Sequence, residues 1–170
     1  AWAFLPNHAH FLFRTGIVPI ATLMQRLLTG YAVYFNRRHR RSGQLFQNRY
    51  KSILCQEDKY LKELVRYIHL NPIRAKLVNN LEELSDYPYC GHSVLMGREK
   101  RKWQDPDYVL RYFGKMAYGA RKSYDSFMGE GVNQGRRDDL TGGGLIRSLG
   151  GWSEIKQSRL KGAHIKSDER

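Results

Sequence analysis

Three observations in the sequence predict an α+β chain. The opening AWAFLPNHAHFLFR alternates its side chains at strand spacing on either side of a Pro6-Asn7 turn. From Pro19, and again behind Asp58, apolar residues recur at the i, i+3, i+4 spacing of a helix. Beyond residue 78 the signals are short and helical, so a mostly helical C-terminal region is expected.

Each element has its own reason. Pro6 cannot donate to a sheet ladder and Asn7 tolerates turn geometry, so 1–14 reads as a strand interrupted by a turn. After the turn His8, His10 and Leu12 share one face, with Ala9, Phe11 and Phe13 on the other. Pro19 suits a first helical turn, and Ile20, Leu23, Met24, Leu27, Leu28, Tyr31, Tyr34 and Phe35 carry the helical period. That helix is expected to end near the basic run at 37–41, with Ser42-Gly43 as its stop. A second strand is expected over 44–54, carrying Leu45, Phe46, Tyr50, Ile53 and Leu54.

Asp58 is placed to cap the next helix, Leu61, Leu64, Val65 and Ile68 form its apolar stripe, and Pro72 is expected to end it. Tyr60, Tyr67 and Asn71 lie on the adjoining face, Tyr67 and Asn71 being one turn apart. A short helix near 80–84, a Tyr-Pro-Tyr-Cys-Gly turn, a helix behind Asp105 or Asp107 and another over 121–128 follow. Gly142-Gly143-Gly144 reads as a flexible joint before a helix at 154–161.

Composition narrows the function. The 170 residues carry 29 Lys plus Arg against 16 Asp plus Glu, a net charge of +13, with 41% hydrophobic residues. That suits one globular domain, or a domain and a tail, and no run of 18 apolar residues exists to span a membrane. Cys55 and Cys90 are too few for a disulfide scaffold and read as small buried hydrophobes in a reducing cytosol. Residues 1–56 hold eight Arg or Lys and no Asp or Glu, so their cations lack internal partners and suit an external polyanion. The start at Ala-Trp-Ala-Phe-Leu without Met, and the close on Lys-Ser-Asp-Glu-Arg, suggest an interior piece of a longer chain.

The chemistry-bearing residues are few. His8 and His10, two apart on a strand, point to one side within reach of a single metal ion. A third ligand must come from elsewhere. The Asn71 amide oxygen is a hard donor that suits Mg²⁺ or Mn²⁺, and Tyr67 sits one turn before it. A phenol is a weak nucleophile at neutral pH, and a nearby divalent cation both activates it and polarises a phosphate. Together they describe metal-assisted phosphoryl transfer to a tyrosine.

At this point two stretches resemble a family. LPNHAHFLF resembles the His-hydrophobic-His motif, and YIHLNP the tyrosine helix, of the single-tyrosine transposases in the REP-associated, insertion-sequence-like branch of the HUH nuclease superfamily. The resemblance covers roughly residues 1–90, with both motifs in the family's order. It implies a ferredoxin-like α/β sandwich with an antiparallel sheet, His8, His10 and Asn71 around Mg²⁺ or Mn²⁺, and Tyr67 attacking single-stranded DNA. The products implied are a 5′-phosphotyrosine link and a free 3′-OH at a hairpin or repeat end. Related branches place Gln where Asn71 stands, and Asn71 matches the REP-associated branch. The family's first strand and helix are missing here, and LTGGGLIRSLGGW resembles the start of its helix-turn-helix-like extension.

The expected organisation is therefore a catalytic core at 1–90, a helical extension at 91–135, and a Gly-rich linker with the start of a second DNA-binding region at 136–170. Arg37, Arg38, Arg40 and Arg41, with Arg26, Arg49 and Lys51, are the expected DNA-backbone contacts, and Phe46 and Tyr50 can stack bases. Phe46 and Tyr34 taken singly belong more often to a core. Tyr60 is the rival nucleophile but lacks a ligand four residues on. His69 reads as structural, and His39, His92 and His164 have no evident partner. A bacterial, cytoplasmic, nucleoid-associated enzyme, monomeric or homodimeric, is the expectation. The alternatives are a catalytically silent single-stranded DNA- or RNA-binding module and, ranked lower, a zinc hydrolase using the histidine pair.

Overall fold

A computed structural model describes residues 1–53 and 57–135. It is an α+β chain, with a small antiparallel hairpin and, among the described residues, six helices. Strands β1 (Trp2–Phe4) and β2 (Ala9–Phe11) are followed by helices α1 (Ile20–Arg38), α2 (Glu57–Arg74), α3 (Leu81–Asp86), α4 (His92–Leu95), α5 (Pro106–Leu110) and α6 (Ala117–Gly131). Two units separate: 13–52, and the rest of the described chain.

In the larger unit the hairpin forms as the alternation predicts. The Leu5 amide donates to the His8 carbonyl at 2.9 Å across the Pro6-Asn7 turn. Trp2 then pairs with Phe11, Ala3 with His10, and Phe4 with Ala9. The other edge of β1 is taken by 89–91: Ala3 bridges Cys90, the Phe4 amide donates to the Tyr89 carbonyl, and the Gly91 amide to the Trp2 carbonyl. Among the described residues the named sheet has two strands, fewer than a ferredoxin-like sandwich uses.

Helix α2 packs against β1 and α6. Leu61, Val65 and Ile68 enter the core, where they meet Leu84, Leu95, Leu110, Tyr124 and Met128 from the later helices. Arg66 joins α2 to α6: its guanidinium lies 4.0 Å from the Phe127 ring centroid and donates to the Phe127 carbonyl at 3.1 Å. The expected caps at 80 and 105 are present, with Asn80 accepting from the Glu83 amide at 2.9 Å and Asp105 from the Tyr108 amide at 3.0 Å.

Three expectations need correction. Pro72 does not end α2 but lies inside it, because the ring removes one amide donor and the turn beyond is closed by Ala75 and Leu77 donating to the Asn71 and Pro72 carbonyls. Asp58 falls within α2 rather than at its cap. Residues 44–53 are not a strand.

In the unit 13–52, Pro19 is the N-cap of α1 rather than its first residue. The helix stops at His39, ahead of Ser42-Gly43, because Arg40 turns left-handed at φ 49°. Gly43, at φ 93°, closes the following loop by accepting from the Asn36 amide at 2.9 Å. Tyr34 and Phe46 are exposed rather than core residues. Leu54, Cys55 and everything from residue 136, including Gly142-Gly143-Gly144, the helix at 154–161 and His164, lie outside the described residues.

Gly91 has an ordinary backbone and is needed for space. A Cβ there would meet Gln104 Oε1, His69 Nε2 and Trp2 Nε1, each at 2.9 Å. Trp2 and His69 are buried and cannot step aside. Gly91→Ala is expected to cost about 1–3 kcal/mol, read as a lower urea midpoint with an unchanged slope.

Candidate active site

The hairpin brings the two imidazoles together as strand spacing requires, with the His8 and His10 ring centroids 5.1 Å apart. Two rings sharing one ion at about 2.1 Å per nitrogen have centroids separated by roughly 4.5–5.3 Å. The pair therefore fits a shared cation. His8 Nδ1 lies 2.6 Å from Asn7 Oδ1, a contact that orients the ring. His10 is half-buried, and that burial, then the neighbouring His8, hold its imidazole below the ordinary value, so it is neutral at pH 7.

Tyr67 comes to this pair from α2. Its ring meets His10 edge-on, centroids 5.9 Å apart at 83°, and is half-buried. Asn71, one turn on, is 9% exposed, and its amide nitrogen is buried without a hydrogen-bond partner. Among the described residues no three His, Cys, Asp or Glu cluster as a metal site. Asn71, one turn beyond Tyr67 on the same helix, is the amide the sequence offers as a further ligand. In that set the amide oxygen is the hard donor that suits Mg²⁺ or Mn²⁺, and the two imidazoles favour the softer end of that range. The Tyr60 side chain lies outside the described part of α2.

The basic residues named from sequence are all exposed and belong to the unit 13–52. Arg26, Arg37 and Arg38 lie on α1, Arg40 and Arg41 just beyond it, and Arg49 and Lys51 in the following loop. The Arg41 guanidinium sits 5.9 Å from the Phe35 ring, and Phe46 stacks tilted on Tyr31 at 6.1 Å. Tyr50 is half-buried. His39 also finds a partner, its ring 4.2 Å from that of Phe35.

Sequence reasoning missed what lies behind α2. His69, about 200° around the helix from Tyr67, is fully buried, and its Nδ1 is 2.8 Å from Tyr124 Oη. The same hydroxyl is 2.8 Å from His92 Nδ1, and His92 Nε2 is 3.2 Å from Ser85 Oγ. Ser85 donates its proton to the Leu81 carbonyl at 2.8 Å, so it accepts from His92 Nε2–H. Tyr124 therefore donates to His92 Nδ1 and accepts from His69 Nδ1–H. His69 Nε2 is left as a buried lone pair without a partner. This proton order requires the His92 ring to be neutral, since its Nδ1 accepts, and the unpartnered Nε2 of His69 suits a neutral ring there too. Burial indeed pushes His92 down to about 4, drives His69 well below its ordinary value and holds the Tyr124 phenol well above its own.

Comparison of the chain with protein-family models, with curated proteins and with solved structures gives no match.

Proposed function

We propose that the protein is a metal-dependent transposase that cuts and rejoins single-stranded DNA through a covalent bond to Tyr67. The observation that carries this reading is the convergence of His8, His10 and Tyr67, with the Tyr67 ring edge-on to His10 at 5.9 Å. The resemblance of LPNHAHFLF and YIHLNP to the two family motifs supports it, and so does the carboxylate-free, basic first third of the chain. The same reading takes the hairpin and α2 as parts of a ferredoxin-like sandwich.

His8, His10 and Asn71 would hold Mg²⁺ or Mn²⁺, which supplies Lewis-acid polarisation of the scissile phosphate. The Tyr67 hydroxyl oxygen attacks phosphorus while its proton passes to solvent. The bond from phosphorus to the 3′ oxygen breaks, leaving a 5′-phosphotyrosine and, after protonation, a free 3′-OH. Attack by another 3′-OH on that phosphorus breaks the tyrosine link and joins the strands, so no external energy source is consumed. The exposed cations of 13–52 supply salt-sensitive contacts to the DNA backbone.

The test incubates the protein with Mn²⁺ and a 3′-labelled single-stranded hairpin, followed by a denaturing gel and peptide mapping. A chelator-sensitive adduct on the peptide containing Tyr67 is expected. No adduct, with salt-sensitive binding retained, would favour the silent binding module. An adduct on Tyr60 would overturn the choice of nucleophile.

A further inference from the structure

We infer that Arg74 is a positioning residue that holds the Tyr67 ring in its attacking orientation. The inference deepens the reading of Tyr67 as nucleophile and rests on it. Arg74 lies in the last turn of α2, seven residues and two turns beyond Tyr67, on the same face. A cation at a helix C-terminus needs only to complement the dipole, and a lysine extended into solvent would do that. Arg74 instead runs back along the helix. Its Nη1 donates to the Tyr67 carbonyl at 3.2 Å, and its guanidinium carbon lies 5.3 Å from the Tyr67 ring centroid.

One side chain thus grips both the backbone and the ring of the same tyrosine. Pro72, between them, lacks an amide hydrogen for the Ile68 carbonyl, and the Arg74 guanidinium adds a side-chain bond one carbonyl earlier, at Tyr67. With the His10 ring edge-on and its centroid 5.9 Å away, the ring has an imidazole and a guanidinium as neighbours. In-line attack on phosphorus is steep in geometry, and misplacement by about 1 Å costs on the order of 10²-fold in rate. The planar fork of arginine holds a ring face in a way an ammonium does not.

The test uses the whole chain with Arg74→Ala and Arg74→Lys. At saturating hairpin and Mn²⁺, the single-turnover rate of adduct formation should fall about 10²-fold in Arg74→Ala and recover to within about tenfold of wild type in Arg74→Lys. Hairpin affinity, by fluorescence anisotropy, should change less than about threefold, which separates positioning from charge-driven binding. A rate within about threefold of wild type in Arg74→Ala, or a loss confined to affinity, overturns the inference. A second readout needs neither DNA nor metal: the ¹⁹F resonance of 3-fluorotyrosine incorporated at position 67 should shift in Arg74→Ala while the urea midpoint stays near that of wild type. If the wild-type chain forms no adduct, the transposase reading falls and this resonance decides, since an unmoved signal overturns the role of Arg74.

Discussion

Replacing Tyr67 with phenylalanine is expected to abolish the covalent protein–DNA adduct, lowering its formation by at least about 10³-fold. The substitution removes one oxygen and nothing else. The ring keeps its edge contact with His10 and its place beside the Arg74 guanidinium, so the fold should lose no more than about 0.5 kcal/mol. Hairpin binding should also persist, because the cations of the unit 13–52 are untouched and phosphate contacts carry most of the affinity. Loss of covalent chemistry with binding and stability intact distinguishes a missing nucleophile from a damaged protein. Tyr60→Phe, by contrast, should leave the adduct in place. An adduct that survives Tyr67→Phe would remove Tyr67 from the reaction.

Acidification is expected to lower stability far more than Tyr67→Phe does. Burial pushes His92 down to about 4 in the folded protein, whereas an unfolded histidine titrates near about 6.5. The stability carried by the neutral ring is fully present above about 6.5 and is lost as pH falls toward the folded value. At pH 5 that loss is about 2 kcal/mol from His92 alone. His69 adds in the same direction, held low by burial first, then by the N-terminal ammonium and by His92. The groups around His92 do not offset it. Ser85 already donates elsewhere, Tyr124 stays protonated, and burial pushes the Cys90 thiol up to about 12, so no anion forms to pair with a new imidazolium. Urea midpoints measured from pH 7 to pH 5 should fall steadily, with a shallower fall in His92→Gln. A midpoint that does not move would refute the proton order.

Much of this arrangement is legible in the sequence because it depends on short-range rules. The hairpin follows from period-two alternation and a Pro-Asn turn, the pairing of His8 with His10 from strand spacing, and the caps at Asn80 and Asp105 from residue type. The failures come from interactions the local pattern does not contain. The strand expected over 44–54 is apolar enough, but a strand also needs a partner edge, which no local pattern supplies. Pro72 looked like a stop because propensity counts the lost donor and not the burial of the proline. The chain from His69 through Tyr124 to His92 spans 55 and 32 residues in sequence, and no spacing rule links its members. The i+7 relation of Arg74 to Tyr67 was available in principle, since two full turns bring side chains onto one face.

The buried thiol has a practical consequence. Cys90 is bridged to Ala3 in β1, and its Sγ donates to the His69 carbonyl on α2 at 3.7 Å. With its acidity suppressed and no solvent at the sulfur, it is inert to alkylating reagents until the hairpin lifts from α2. Alkylation of Cys90, resolved by mass spectrometry, therefore clocks a local opening. That same opening would part His10 from Tyr67, so the protein carries a native chemical timer for the integrity of its hairpin–helix contact.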